Sequence, residues 1–315
     1  MHSIIAYKNG AFSKIGDTEF TPLIRFGIID FLNPNEQEIK TFLDKIGFEV
    51  KDLNTILTKV EIPSIVHREE FLHLIYGTPI KKDRQIGTSP LSILLIKGYI
   101  ILIHKDEVKS LSDLLSEIQV DISRISKLNI SNIIYQIMAD INDDFVSVVD
   151  SLGNEIESIE ERLVKYHNET DVRRVYTLRK TLLYFKSVLR HNNVVVSMIM
   201  REDSVKQFIK ENGNYNILYN GISQLIALVD FYREMLTEVM QIYEGALANR
   251  LNEIMKYFGA VAALFLWPAT VANIYGQNFK VIPFADHPFG FYIMLLIMIL
   301  GSILMYFYFK RKKWL

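Results

Sequence analysis

The sequence predicts an α+β membrane protein: a cytosolic α/β domain, a long stalk helix continuing into a first transmembrane helix, and a second transmembrane helix behind a short loop. Three observations carry this. Two segments, Tyr257 to Ile274 and Phe289 to Phe309, hold no formal charge, and each has the length a helix needs to cross roughly 30 Å of hydrocarbon. From Tyr215 to Tyr257 the chain has no proline and only Gly221 and Gly245 as glycines, and it enters the first apolar segment without a break signal. Before about Val108 the apolar runs are short and β-rich, whereas beyond it they recur at helical spacing.

The elements follow in order. Residues 1–107 read as the α/β domain, with strand-like runs at Leu23–Phe31, Phe71–Tyr76 and Leu91–His104 and a helix-like stretch near Glu36–Ile46. Within the last run, Lys97-Gly98 marks a hairpin turn. Residues 108–213 read as helical: Ile137, Ile141, Val146, Val149 and Leu152 fall at near-helical spacing, Glu155, Glu157, Glu160 and Glu161 load the later turns, and a second helix runs from about Val172 to Met200. Residues 214–256 form the stalk and 257–275 the first span. Together these are about 60 residues, a rod on the order of 90 Å that must pack against partners to be stable. Residues 276–288 are a loop, 289–309 the second span with aromatic residues at both ends, and 310–315 a basic tail. Arg250 and Lys256 before the first span and Lys310 to Lys313 after the second place both termini in the cytosol and the loop outside. Two buried core helices are the alternative for the apolar segments.

Composition removes whole classes of chemistry. The 315 residues include no cysteine, which excludes disulfides, thiolate zinc sites, iron–sulfur clusters and cysteine nucleophiles. A net charge of −1 gives no field that would select nucleic acid. The N-terminal residues lack the basic and apolar regions of a signal peptide, and a mean hydropathy of +0.15 reflects the concentration of apolar residues in the two spans. His2, His67, His73, His104, His167, His191 and His287 show no ligand spacing. There is no Walker-type phosphate loop, so ATP-driven pumping has no support in the sequence; neither an enzyme nor an organic cofactor is expected.

The stretch Asn249-Arg250-Leu251-Asn252-Glu253-Ile254-Met255-Lys256, the apolar span after it, Tyr275-Gly276-Gln277-Asn278-Phe279, and Lys310-Arg311-Lys312-Lys313-Trp314-Leu315 together resemble the CorA family of divalent-cation channels. The resemblance is specific over the last 70 or so residues and looser before them. It implies a homopentamer in the inner (plasma) membrane, with the first transmembrane helix lining the pore and the second facing lipid. It also implies Mg²⁺ as transported and regulatory ion, with Co²⁺ or Ni²⁺ as further substrates. The family's hallmark is Gly-Met-Asn at the outer mouth. Here it is Gly276-Gln277-Asn278, matching at the glycine and asparagine and departing at the methionine.

Mg²⁺ sheds its waters reluctantly, so a site that reads the hydrated ion should offer neutral oxygens, which a ring of Asn278 amides supplies. Gly276 and Asn278 could equally serve as a helix stop. Below Asn278, the residues Asn273, Ala269, Leu266, Ala262, Met255 and Asn252 fall at steps that keep them on one helix face. By resemblance this is the pore face, with Met255 and Leu266 as apolar constrictions; ordinary helix packing is the alternative for both. Asn273, an amide inside an apolar span, points to a bundle interior or an aqueous path. Pro268 removes one helical hydrogen bond in mid-span.

The family closes on cytosolic Mg²⁺ held between subunits, partly by stalk aspartates. The corresponding region here, Asn212-Gly213-Asn214-Tyr215-Asn216-Ile217, offers amides instead. Asp230, Glu234 and Glu238 form an acidic stripe at four-residue steps that could hold a regulatory ion or simply be a solvated face. The other functions left open are a zinc carrier of the ZntB type and a non-conducting membrane scaffold or sensor.

Overall fold

The computed structural model describes residues 2–8, 11–15, 26–48, 62–82, 85–120, 130–166, 169–210, 214–278, 280, 282–284 and 286–315. They divide into two compact units, residues 1–238 and 239–315.

The first unit holds a seven-stranded sheet in the order β2-β1-β3-β7-β6-β5-β4. Its strands are β1 (His2–Lys8), β2 (Ala11–Ile15), β3 (Gly27–Leu32), β4 (Ser64–His67), β5 (Phe71–Lys82), β6 (Gln85–Ile96) and β7 (Tyr99–His104). All neighbours are antiparallel except β3 and β7, which run parallel with Gly27 opposite Tyr99 and Leu32 opposite His104. The β6–β7 hairpin turns at Lys97 and Gly98, with φ of 48° and 90°, the double positive φ that a two-residue turn of this hand requires. Helix α1 (Glu36–Lys45) begins at Asn35, whose side chain accepts from the Glu38 N–H at 2.8 Å. Its buried Ile39, Phe42 and Leu43 join Ile4, Ile29, Phe31, Leu94 and Ile101 in one core cluster.

Strand bounds differ from the sequence reading at β3, β5 and β6, the last beginning at Gln85 rather than Leu91. β3 begins at Gly27, and residues 23–25 of the expected run lie outside the described residues. β5 runs past Tyr76 through Gly77, Thr78 and Pro79 to Lys82. These look like turn residues, but β4 begins, at Ser64, opposite Ile75, so Pro79 lies where one edge of β5 is beyond its neighbour and a missing N–H costs no ladder bond there.

Helices α2 (Lys109–Val120), α3 (Ile130–Tyr166), α4 (Glu169–Arg201) and the short α5 (Asp203–Lys206) follow. α3 and α4 pack on the sheet. α4 comes so close to β5 that a Cβ on Gly77 would collide with the Val188 side chain. There the buried Asn192 amide accepts from the Gly77 N–H at 2.8 Å and donates to its carbonyl at 2.9 Å, so a helix side chain completes the strand's hydrogen bonding. His73 is a core residue at 1% exposure.

Helix α6 (Asn214–Tyr275) is one element of 62 residues with Pro268 inside it, as the absence of break signals predicts. The second unit takes its final stretch together with α7 (Gly290–Arg311). In their most apolar windows α6 and α7 have mean hydropathy 1.5 and 2.2, with only 11% and 6% of those windows buried. Core helices of a soluble protein would be mostly covered, so the transmembrane reading is the one that fits.

Candidate functional site

Two faces of α6 differ in what covers them. Ala260 and Val271 are buried and Leu264 and Trp267 half-buried. The Trp267 indole lies where a Cβ on Gly301 of α7 would have to sit. Gly301 therefore marks the crossing of the two spans, the small-residue contact that lets helices approach in lipid. Around the helix by roughly 160°, at 3.6 residues per turn, lie Ala262, Leu266, Ala269 and Asn273, all exposed. Met255 shares that arc, and Asn252 sits at its margin. Met255 and Leu266 are 62% and 66% exposed. From Ala260 to Asn273 the face expected to line a pore is thus the one that α7 leaves bare, and it carries the Asn273 amide among apolar groups; residues 251–259 are exposed on every side, so cover does not set Asn252 and Met255 apart.

At the outer end the helix stops after Tyr275. The Gly276 N–H donates to the Ala272 carbonyl at 2.9 Å and the Gln277 N–H to the Ile274 carbonyl at 3.4 Å. Gly276 is not in the left-handed region. What favours glycine there is space, because a Cβ would stand 3.3 Å from the Ala272 carbonyl oxygen. Gln277 and Asn278 follow, both exposed beyond the last turn, with their side-chain amides available to water. Tyr275 is half-buried. Phe279 lies outside the described residues.

Of the acidic stripe Asp230, Glu234 and Glu238, Asp230 is engaged within the chain. Asp230 accepts from Lys186 of α4 at 2.5 Å and from Arg233 at 3.2 Å. Burial acts on its pKa most and upward, but hydrogen bonds and charge from Lys186 and Arg233 outweigh it and hold the carboxyl below its ordinary range. Among the described residues no group of three His, Cys, Asp or Glu side chains could hold a metal ion. Asn214, Asn216 and Ile217 of the upper stalk are exposed, while Tyr215 is buried and donates to the Ser131 carbonyl at 3.2 Å. Asn212 and Gly213 lie outside the described residues.

Sequence reasoning missed the Trp267–Gly301 crossing and the Asn192–Gly77 clamp. The first left a signal, a glycine in mid-span; the second left none, because residues 115 apart in the chain meet there.

A family model described as CorA-like Mg2+ transporter protein matches residues 25–311. The chain is 30% identical over 288 residues to the cobalt/magnesium transport protein CorA of Methanocaldococcus jannaschii, covering 91% of this chain and 90% of that one. The complete structure of the CorA magnesium transporter from the same organism superposes with a TM-score of 0.85 at 26% identity, over 100% of this chain and 99% of that one. The cytoplasmic domain of ZntB from Vibrio parahaemolyticus superposes with a TM-score of 0.63 at 13% identity, over 78% of this chain and 98% of that one, a likeness of fold alone.

Proposed function

The chain belongs to the CorA-like Mg2+ transporter family, and from that premise we propose that it is a passive channel for Mg²⁺ uptake, built as a homopentamer around the bare face of α6. It is a divalent-cation transporter of the inner (plasma) membrane, with two transmembrane helices and a cytosolic domain. The observation that carries the finer reading is the division of the spanning part of α6 into a face packed on α7 and an opposite face where Asn273 stands exposed among apolar groups. An uncovered amide in a spanning helix is costly against lipid, and copies of α6 arranged around an axis would turn it toward water instead.

In this arrangement Asn278 and Gln277 form the outer amide ring that meets the hydrated ion, with Tyr275 and Gly276 setting the helix end that presents them. Met255 and Leu266 form apolar constrictions that close by excluding water. The membrane potential supplies the driving force, about 2.3 kcal/mol per charge per 100 mV and so about twice that for a divalent ion. Cytosolic Mg²⁺ closes the channel. With Asp230 committed to Lys186, a regulatory ion on this stripe rests on Glu234 and Glu238 together with groups from a neighbouring copy.

One feature favours a second reading: Gln277 stands where the family hallmark has methionine, which leaves room for a zinc carrier of the ZntB type. Uptake of Mg²⁺, Co²⁺, Ni²⁺ and Zn²⁺ into proteoliposomes, under a set potential and separately under a proton gradient, tests the choice. The channel reading expects Mg²⁺ entry that grows with potential. Zinc movement that follows the proton gradient, with no Mg²⁺ entry, overturns it; no flux of any ion means a non-conducting scaffold or sensor.

A further inference from the structure

On the side of the α6–α7 pair lies an open groove of about 560 Å³, lined by Leu264 of α6 and by Ser302, Ile303, Tyr306 and Phe307 of α7. The groove is open along its length, and its exposed wall is apolar. Along α7 its lining continues at four-residue steps, Ser302 to Tyr306 to Lys310 and Ile303 to Phe307 to Arg311, so the groove's own face ends in two cations. Lys310 is tied to the rim, its Nζ 5.8 Å from the centroid of the Tyr306 ring.

We infer that this groove binds one acyl chain of an anionic phospholipid of the cytosolic leaflet, whose headgroup is held by Lys310 and Arg311. From Ile303 to Arg311 the helix rises about 12 Å, which spans the distance from a headgroup into the upper part of its chain. The charge sign selects the occupant. A zwitterionic lipid gains little from two adjacent cations, and an apolar helix of another copy laid on this face would leave both without counter-charge. The anionic surface of the cytosolic leaflet supplies that charge where the basic residues lie.

The sequence makes the test direct, because Trp267 and Trp314 are its only tryptophans. With Trp314→Phe, the remaining indole is Trp267, packed at Gly301 beside groove residue Ser302. The full chain is reconstituted in phosphatidylcholine with rising fractions of chain-brominated phosphatidylglycerol or, separately, chain-brominated phosphatidylcholine. Brominated phosphatidylglycerol should quench Trp267 at much lower mole fraction than brominated phosphatidylcholine. Lys310→Gln with Arg311→Gln should weaken that preference by roughly fivefold per charge removed. Ser302→Phe, which fills the groove, should reduce quenching by both lipids. Equal quenching by the two lipids would reduce the groove to ordinary annular contact and overturn the inference. Absence of quenching at any fraction would show the groove covered by another copy and overturn it as well.

Discussion

His73 and His104, both buried in the sheet, are pushed in opposite directions. The Nε2 of His73 lies 2.6 Å from the Ser92 hydroxyl, and burial lowers its pKa from 6.5 to about 4. For His104 burial is again the largest influence and also lowers the pKa. It is outweighed by the hydrogen bond to Asp30 at 2.8 Å, the charge of Asp30, and the carbonyl and carboxylate of Asp106, so the net shift is upward. The pH dependences therefore differ in sign. The contribution of a neutral His73 is whole above pH 6.5 and is lost as pH falls toward 4, on the order of 3 kcal/mol for a displacement of that size. The contribution of His104 is whole below its unfolded pKa and is lost as pH rises through its raised folded one. In urea titrations across this range, His73→Gln should flatten the acid decline and Asp30→Asn the alkaline one. An acid decline unchanged in His73→Gln would mean other groups control it. At the outer mouth, Asn278→Ala should cut Mg²⁺ flux strongly, while Gln277→Met, which restores the hallmark residue, should keep or raise it. A collapse of flux in Gln277→Met would mean that this mouth is organised around the glutamine.

Between elements, the contacts that matter most are those where one side chain fills the place of another's Cβ. Gly301→Leu would force the Trp267 indole out of the α6–α7 crossing. Overpacking of this kind costs about 1–3 kcal/mol or more, so the variant should lose thermal stability in detergent, and Trp267 emission should shift as the ring is displaced. Asn192→Ala leaves the Gly77 N–H and carbonyl without their partner at a buried helix–strand contact, a loss of about 1–3 kcal/mol readable in urea unfolding. Asp230→Asn should loosen α4 from α6 by about 1 kcal/mol or less, because the carboxylate is 41% exposed. Elements such as α6 and α7 were legible in the sequence because length, apolarity and missing break signals are local properties. So was the Lys97-Gly98 turn. The reach of β5 beyond Tyr76 was not, because whether Gly77-Thr78-Pro79 bends or stays extended depends on its pairing with β6. Nor was the engagement of Asp230, since Lys186 comes from another helix and no local pattern connects them.

At the scale of the whole molecule, one chain leaves an amide-bearing face of α6 uncovered, and the candidate pore residues were legible because they share a helical period with Asn273. The common path proposed for them would be a property of several copies. The absence of cysteine makes each introduced thiol the sole one in the protein, so the path can be mapped residue by residue. Mg²⁺ entry into proteoliposomes is measured for Ala269→Cys and Asn273→Cys, on the bare face of α6, and for Leu304→Cys, 71% exposed on α7, before and after a cationic thiol reagent. The expected result is potential-driven Mg²⁺ entry that the reagent blocks at positions 269 and 273 and leaves intact at 304; block at 304 with none at 269 or 273 would contradict an ion path along this face of α6.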